Sequence, residues 1–281
     1  MTKNHNHYLD LAFHLAEKNL GRTRLNPSVG TVIVKNGAVI SSGVTSLQGR
    51  PHSEFNALNN SKNCRGATLY TTLEPCTHQG KTPPCTNIII KKKIKNVFYS
   101  FEDPDKRTFK KSKKILTQKG IATKLISTKN FSKFYKSYFT NKKLLIPYIT
   151  AKIAISKDYF TINKKEKWIT NKISRNKVHL LRSMNDCVLS TSKSINQDDA
   201  LLNCRINGLN NNKPDLFIID LNLNLKKRLS LNKYLKSRKT FLVTNKNNIN
   251  KTLVYKKLGY KFIFINKLKD KNDFNLLLKK I

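Results

Sequence analysis

The sequence predicts an α/β sandwich, on three observations. A β-branched run, VGTVIVK, is joined through Asn36-Gly37 to a second run, AVISSGV, the pattern of a hairpin closed by a two-residue turn. Ahead of it, Leu9, Leu11, Ala12, Leu15 and Ala16 recur at helical spacing on one face. Behind it, strand-like and helix-like segments alternate, the layout of helices packed on a sheet.

In chain order, residues 7–20 form an amphipathic helix that Gly21 ends. GRTRLNPS is a polar loop with the turn-forming pair Asn26-Pro27. After the hairpin, His52 to Leu58 begin a helix, ATLYTTL is a strand, and EPC opens a helix that TNIIIKKKI continues. NVFYSF is a strand, FKKSKKILTQKGI an amphipathic helix and TKLIS a further strand. FSKFYKSYFTNKKLLIPY reads as a basic, aromatic connector leading into IPYITAKIAIS, the pattern of a buried strand. The expected boundary lies near residue 145, giving domains 1–145 and 146–281.

At 281 residues the chain is long enough for two ordinary domains, each with a core. Its apolar runs fall well short of the ~20 residues of a membrane span, and its N-terminal stretch lacks the uninterrupted apolar core of a signal peptide. Five cysteines without such a signal argue against a disulfide framework, so the expected compartment is the cytoplasm. The 55 Lys and Arg against 16 Asp and Glu give a net charge of +39, which brings nucleic acid into consideration. The excess is spread along the chain, as in KKKIKN and TNKNNINK, rather than gathered into a basic stripe with interleaved aromatics. That distribution reads as compositional drift, so neither a nucleic-acid nor a membrane partner is expected.

The chemistry concentrates between residues 52 and 85. His52 stands two residues before Glu54, Cys76 follows Pro75, and Cys85 lies beyond, the order H-x-E, P-C, C of the zinc deaminases. One His and two Cys satisfy a catalytic zinc, which takes three protein ligands and keeps a fourth position open. Deamination also needs a group that protonates the ring nitrogen and the departing amine, and Glu54 is placed for that shuttle. Helix starts at His52 and Cys76 would favour anionic ligands and nucleophile. Glu74, just before Pro-Cys, reads as a supporting or helix-start group, and Cys64, Cys187 and Cys204 as structural. The usual P-C-x-x-C spacing is replaced here by PCTHQGKTPPC, so a loop must return Cys85 to the metal.

The segments GRTRLNPSVGTVIVKNG, GRPHSEFNAL, ATLYTTLEPCTHQGKTPPC and EDPD resemble the RibD family of bifunctional riboflavin-biosynthesis deaminase/reductases, densely over residues 8–125. The resemblance implies a cytidine-deaminase-like three-layer sandwich with Zn2+ held by His52, Cys76 and Cys85, and Glu54 as proton donor. It further implies a phosphoribosyl pyrimidine substrate, contacted by Asn26, His78 and Lys81. Thr45 stands where the family often carries a His.

The second half resembles the family's dihydrofolate-reductase-like α/β domain, through PYITAKIAISKD, KWITNKISRNKVHLLRSMND and NQDDALLNCR. That places Trp168, Ser194 and Asp198 at NADP-contacting positions and Arg182, Leu202 and Arg205 at substrate positions, the arginines suited to phosphate. Departures accumulate here: Tyr159 replaces the glycine of the family's S-L-D-G, and Ser190-Thr191-Ser192-Lys193 replaces a glycine-bearing turn. No Glu follows Glu166, and only Gly208 and Gly259 follow Gly120, so nothing supplies the family's Glu-Gly-Gly segment. The expectation is a deaminase with a truncated, structural and dimerising reductase-like domain. The alternative is a bifunctional enzyme that also uses NADPH. A tRNA deaminase would carry P-C-x-x-C and lack the second half; a basic RNA-binding module would have no use for the four site residues.

Overall fold

The computed structural model describes residues 5–128, 130–161, 168–209 and 214–281; Glu166 lies outside them. The chain divides into two compact units, Met1–Tyr148 and Ile149–Ile281.

The first unit runs α1 (His5–Glu17), β1 (Gly30–Lys35), β2 (Ala38–Val44), α2 (Ser53–Asn59), β3 (Thr68–Leu73), α3 (Cys85–Lys91), β4 (Asn96–Phe101), α4 (Lys111–Gln118), β5 (Ala122–Leu125) and α5 (Lys136–Leu144). Its strands are ordered β2-β1-β3-β4-β5, with β1 antiparallel to β2 and β3 and the last three strands parallel. The hairpin turn is the expected one, since Asn36 and Gly37 both take positive φ (52° and 81°), as a turn matching strand twist requires. One face of the sheet packs Ile33, Leu69 and Val97 against Ala57 and Leu58 of α2, Ile89 of α3 and Leu116 of α4. The other packs Val32, Val34 and Tyr70 against Leu9 and Ala12 of α1. This is the three-layer arrangement.

Two glycines let helices approach the sheet closely. A Cβ on Gly30 would sit 1.8 Å from the Ala12 carbonyl oxygen of α1, and one on Gly43 2.4 Å from the Ser53 carbonyl oxygen of α2. The second contact fixes the start of α2, where His52 and Glu54 lie.

Three expected features differ. The helix expected to open at EPC begins at Cys85 instead, and residues 74–84 form an irregular loop. Pro75, Gly80 and Pro83-Pro84 deny that stretch a helical start. The expected connector is part of the core: Phe131, Phe134, Tyr135, Tyr138 and Phe139 pack with Phe13, Val29, Leu73 and Phe101, and α5 lies within it. Finally, IPYITAKIAIS forms no strand, and Ile153 is 70% exposed. A period-2 apolar pattern becomes a buried strand only with a ladder partner, and among the described residues β6 (Cys187–Thr191) pairs with β7 (Asp215–Ile219) alone.

The second unit also contains α6 (Lys172–Ser183), α7 (Ser192–Asp198), β8 (Thr240–Asn245), α8 (Thr252–Leu258), β9 (Lys261–Ile265) and α9 (Lys271–Leu278). The sheet is wholly parallel, β6-β7-β8-β9. Ile195, Leu216, Ile218, Leu242 and Tyr255 fill one face, and Val243, Ile265 and Leu277 the other. Among the described residues no helix is long and apolar enough to cross a membrane.

Candidate active site

The first unit carries an open cleft whose lining includes Asn26, Thr45, Arg50, His52, Glu54, Glu74, Cys76, His78, Asp103, Asp105, Arg107, Tyr138 and Lys142. His52 is the N-cap of α2, Cys76 lies in the loop after β3, and Cys85 is the first residue of α3. The helix starts therefore belong to His52 and Cys85, not Cys76.

The sulfur atoms of Cys76 and Cys85 lie 3.5 and 3.4 Å from His52 Nδ1. A tetrahedral zinc, ~2.3 Å from sulfur and ~2.0 Å from nitrogen, has N···S edges of about 3.5 Å, so the three side chains are spaced to hold that ion. The Cys85 backbone N–H donates to Cys76 Sγ at 3.2 Å. The two sulfurs share one proton: a hydrogen bond from the Cys85 thiol, aided by His52, pushes the Cys76 thiol down to about 4, while the same bond and burial push the Cys85 thiol up.

Glu54, in the first turn of α2, is buried beside this triad. Burial lifts its carboxyl above the ordinary range, against the pull of His52. Ser53 Oγ donates to Glu54 Oε2 at 3.0 Å and itself bonds Thr31 Oγ1 at 2.8 Å, so the carboxylate is held by a hydroxyl anchored on β1. A carboxyl so held, with its proton affinity raised, is suited to take up and return protons.

The remaining predicted contacts take distinct places. Asn26 Nδ2 donates to the Gly49 carbonyl at 3.0 Å, and Gly49 is a forced glycine, since its φ is 89° and a Cβ there would sit 2.6 Å from the Thr23 carbonyl oxygen. His78 Nδ1 lies 3.2 Å from Thr108 Oγ1. Both line the cleft; Lys81 is exposed and is not among the lining residues. Thr45 is buried, its hydroxyl accepting the Val29 N–H at 2.9 Å, so it clamps β1.

Glu74 takes the supporting role read for it, not the helix start, while Asp103, Asp105, Arg107, Tyr138 and Lys142 are lining groups that sequence reasoning missed. Glu74 accepts backbone N–H bonds from Asp103, Lys110 and Ser112 at 3.2, 3.1 and 3.1 Å. Burial raises its carboxyl even so, because those bonds offset only part of the desolvation. Tyr138 Oη donates to Asp103 Oδ1 at 2.9 Å, and Lys142 reaches Asp105. The signal for α5 was available in its aromatic spacing, but basic residues interrupt it.

The zinc-binding region of the cytidine and deoxycytidylate deaminases matches residues 2–101, and the RibD C-terminal domain matches residues 147–277. The riboflavin biosynthesis protein RibD of Actinobacillus pleuropneumoniae is 30% identical over 281 residues, covering 98% of this chain and 73% of that protein. The chain belongs to the RibD family. The RibD of Aquifex aeolicus is 39% identical over 202 residues, and the chain spans only 57% of its length. A solved diaminohydroxyphosphoribosylaminopyrimidine deaminase/5-amino-6-(5-phosphoribosylamino)uracil reductase of Thermotoga maritima matches with a TM-score of 0.81 at 28% identity, over 98% of this chain and 77% of that one.

In the RibD-like second unit the three predicted substrate positions converge. Arg182 donates to the Asn203 carbonyl and Arg205 to Asn203 Oδ1, both at 3.3 Å, while the neighbouring Leu202 carbonyl accepts from Arg238 at 2.9 Å. Burial, then the nearby Arg205 charge, lowers the pKa of Arg182. Trp168 stacks on Arg175, 4.6 Å from the ring centre. Ser194 and Asp198 lie exposed on α7, where Thr191 caps the helix through the Ser194 N–H. Tyr159, which the resemblance sets against a family glycine, holds a φ of 67°, a conformation glycine adopts at lower cost.

Proposed function

We propose that the first unit is a zinc-dependent deaminase of riboflavin biosynthesis, acting on 2,5-diamino-6-(5-phosphoribosylamino)pyrimidin-4(3H)-one. The observation that carries this reading is the buried Glu54 carboxyl beside a His52, Cys76, Cys85 triad with tetrahedral edge lengths. Zinc bound there supplies the Lewis acidity that makes water a nucleophile at neutral pH. Glu54 would take the proton that water loses and pass it to the ring nitrogen, then take the remaining proton of the added hydroxyl and deliver it to the amine, so that a C–O bond replaces the C–N bond and ammonia leaves. Asn26 and His78 line the cleft and would orient the ring.

For the second unit the reading is a structural half without NADPH-dependent reduction. Tyr159 at the glycine position and the solvent-exposed segment around Ile153 support it. The rival reading, a second reductive step, is favoured by the convergence of Arg182 and Arg205 on Asn203. Following ammonia release and NADPH consumption separately on the diaminopyrimidine decides between them. Zinc-dependent ammonia without NADPH oxidation is the expected result. Oxidation after deamination would establish the bifunctional reading, and absence of ammonia would overturn the deaminase.

A further inference from the structure

The cleft mouth is cationic in a way the ligand triad does not need. In the turn after β4, Arg107 engages Asp105 twice, Nε to Oδ1 at 2.9 Å and Nη2 to Oδ2 at 2.6 Å. From α5, Lys142 Nζ reaches the same Oδ2 at 3.3 Å and lies 5.7 Å from the centre of the Tyr138 ring. One carboxylate thus fixes two cations from separate elements, and both line the cleft. The Arg107 carbonyl accepts from Thr77 Oγ1 at 2.9 Å, tying this turn to the loop that carries Cys76. Arg50, two residues before His52, also lines the cleft and is held through its guanidinium by Thr82 Oγ1.

Charges and donors decide what such a mouth accepts. Against the cations of Arg50, Arg107 and Lys142 stands Asp105, held ionised well below the usual carboxylate range chiefly by Arg107. Glu74 is occupied by three backbone N–H groups, and Asp103 by Tyr138 and the Asp105 N–H. Arg107 and Lys142 each retain N–H donors beyond those spent on Asp105. An oriented guanidinium beside an ammonium is a recognition element for a phosphomonoester dianion. Lys81, the cation that motif resemblance nominates, is exposed outside the lining.

We infer that Arg107 and Lys142, oriented by Asp105 and supplemented by Arg50 of the same lining, form the subsite that binds the phosphate end of the ligand. The identity of the ligand as a phosphoribosyl pyrimidine rests on the proposed deaminase reading; the anion subsite does not. Specificity for the phosphorylated substrate then comes from α5 and the 105–107 turn.

The test is calorimetric titration of ribose 5-phosphate into the zinc-loaded full chain, with ribose as the uncharged control. Wild type should bind ribose 5-phosphate saturably, with Arg107→Gln and Lys142→Gln each weakening it by about tenfold. Lys119→Gln, which removes an exposed charge elsewhere, should leave affinity unchanged. Variants that bind as tightly as wild type, or a wild type that shows no saturable binding, would overturn the subsite. Ammonia release supplies the second readout: Arg107→Gln should raise KM for the phosphorylated pyrimidine while kcat holds, and lose preference over its dephosphorylated form. Intact ribose 5-phosphate binding without any ammonia release would retire the deaminase reading and leave the subsite standing.

Discussion

At the scale of single residues, two carboxylates in one cleft are driven in opposite directions. Burial raises Glu54, whereas the Arg107 guanidinium depresses Asp105. Replacing Glu54 by Gln keeps its size and removes its ability to carry a proton. Ammonia release should fall by about 10²- to 10⁴-fold. Zinc content should stay at wild-type level, because His52, Cys76 and Cys85 offer a three-ligand set without it. Zinc lost together with activity would assign Glu54 to the metal instead. Cys85→Ser should do the reverse of Glu54→Gln, losing zinc first. Asp105 predicts a pH dependence of stability. Its folded pKa lies below its unfolded value, so the native state holds it ionised and gains stability above the unfolded pKa of about 3.9. That gain disappears as pH falls through the folded pKa. Arg107 is largely exposed, so Asp105→Asn should cost only about 1 kcal/mol near neutrality. The difference between wild type and variant should shrink below about pH 4. A constant difference in denaturation midpoint down to acid pH would contradict the ion-pair account.

At the scale of elements, Glu74 shows how a loop is kept in register with the site. Its carboxylate collects the backbone N–H groups of Asp103, Lys110 and Ser112, fastening the stretch between β4 and α4 on which Asp105 and Arg107 ride. Glu74→Gln turns an amide NH2 toward some of these donors and should destabilise the chain by about 1–3 kcal/mol. Equilibrium denaturation measures it, and an unchanged midpoint would show that the loop holds itself. The sequence places Glu74 beside the site but cannot show this, because its three partners lie 29 to 38 residues away. What was legible was local. Asn36-Gly37 announces its turn, and H-x-E with P-C and C picks out the His52, Cys76 and Cys85 side chains that the fold brings together. What was not legible depended on tertiary partners. The aromatics of α5 read as a connector until Phe13 and Leu73 provide a surface for them, and PYITAKIAIS alternates correctly for a strand that lacks a ladder partner. Cys76 was misplaced at a helix start because Glu-Pro-Cys mimics one, while Pro83-Pro84 moves the start to Cys85.

For the whole molecule, the +39 charge is the dominant fact that the site does not explain. Like charges spread over two compact units repel one another at every separation shorter than the screening length, about 10 Å at 0.1 M salt. With 16 acidic side chains to 55 basic ones, most of those cations have no carboxylate of their own to pair with, and Arg107 and Lys142 share the single Asp105. Folding concentrates this charge, so the native state carries a repulsive term that the expanded unfolded chain relieves in part. Salt screens that term. Raising ionic strength from about 0.02 to about 0.2 M should therefore raise Tm of the zinc-loaded chain by several degrees, since about 1 kcal/mol shifts Tm by a few degrees at this size. Chloride and acetate should act alike if screening is the cause, whereas phosphate should add a further increment through the cleft mouth. Arg107→Gln separates the two contributions: it should remove the phosphate increment and leave the chloride effect, while a Tm that falls or stays level with chloride would show that the repulsion is already balanced within the fold.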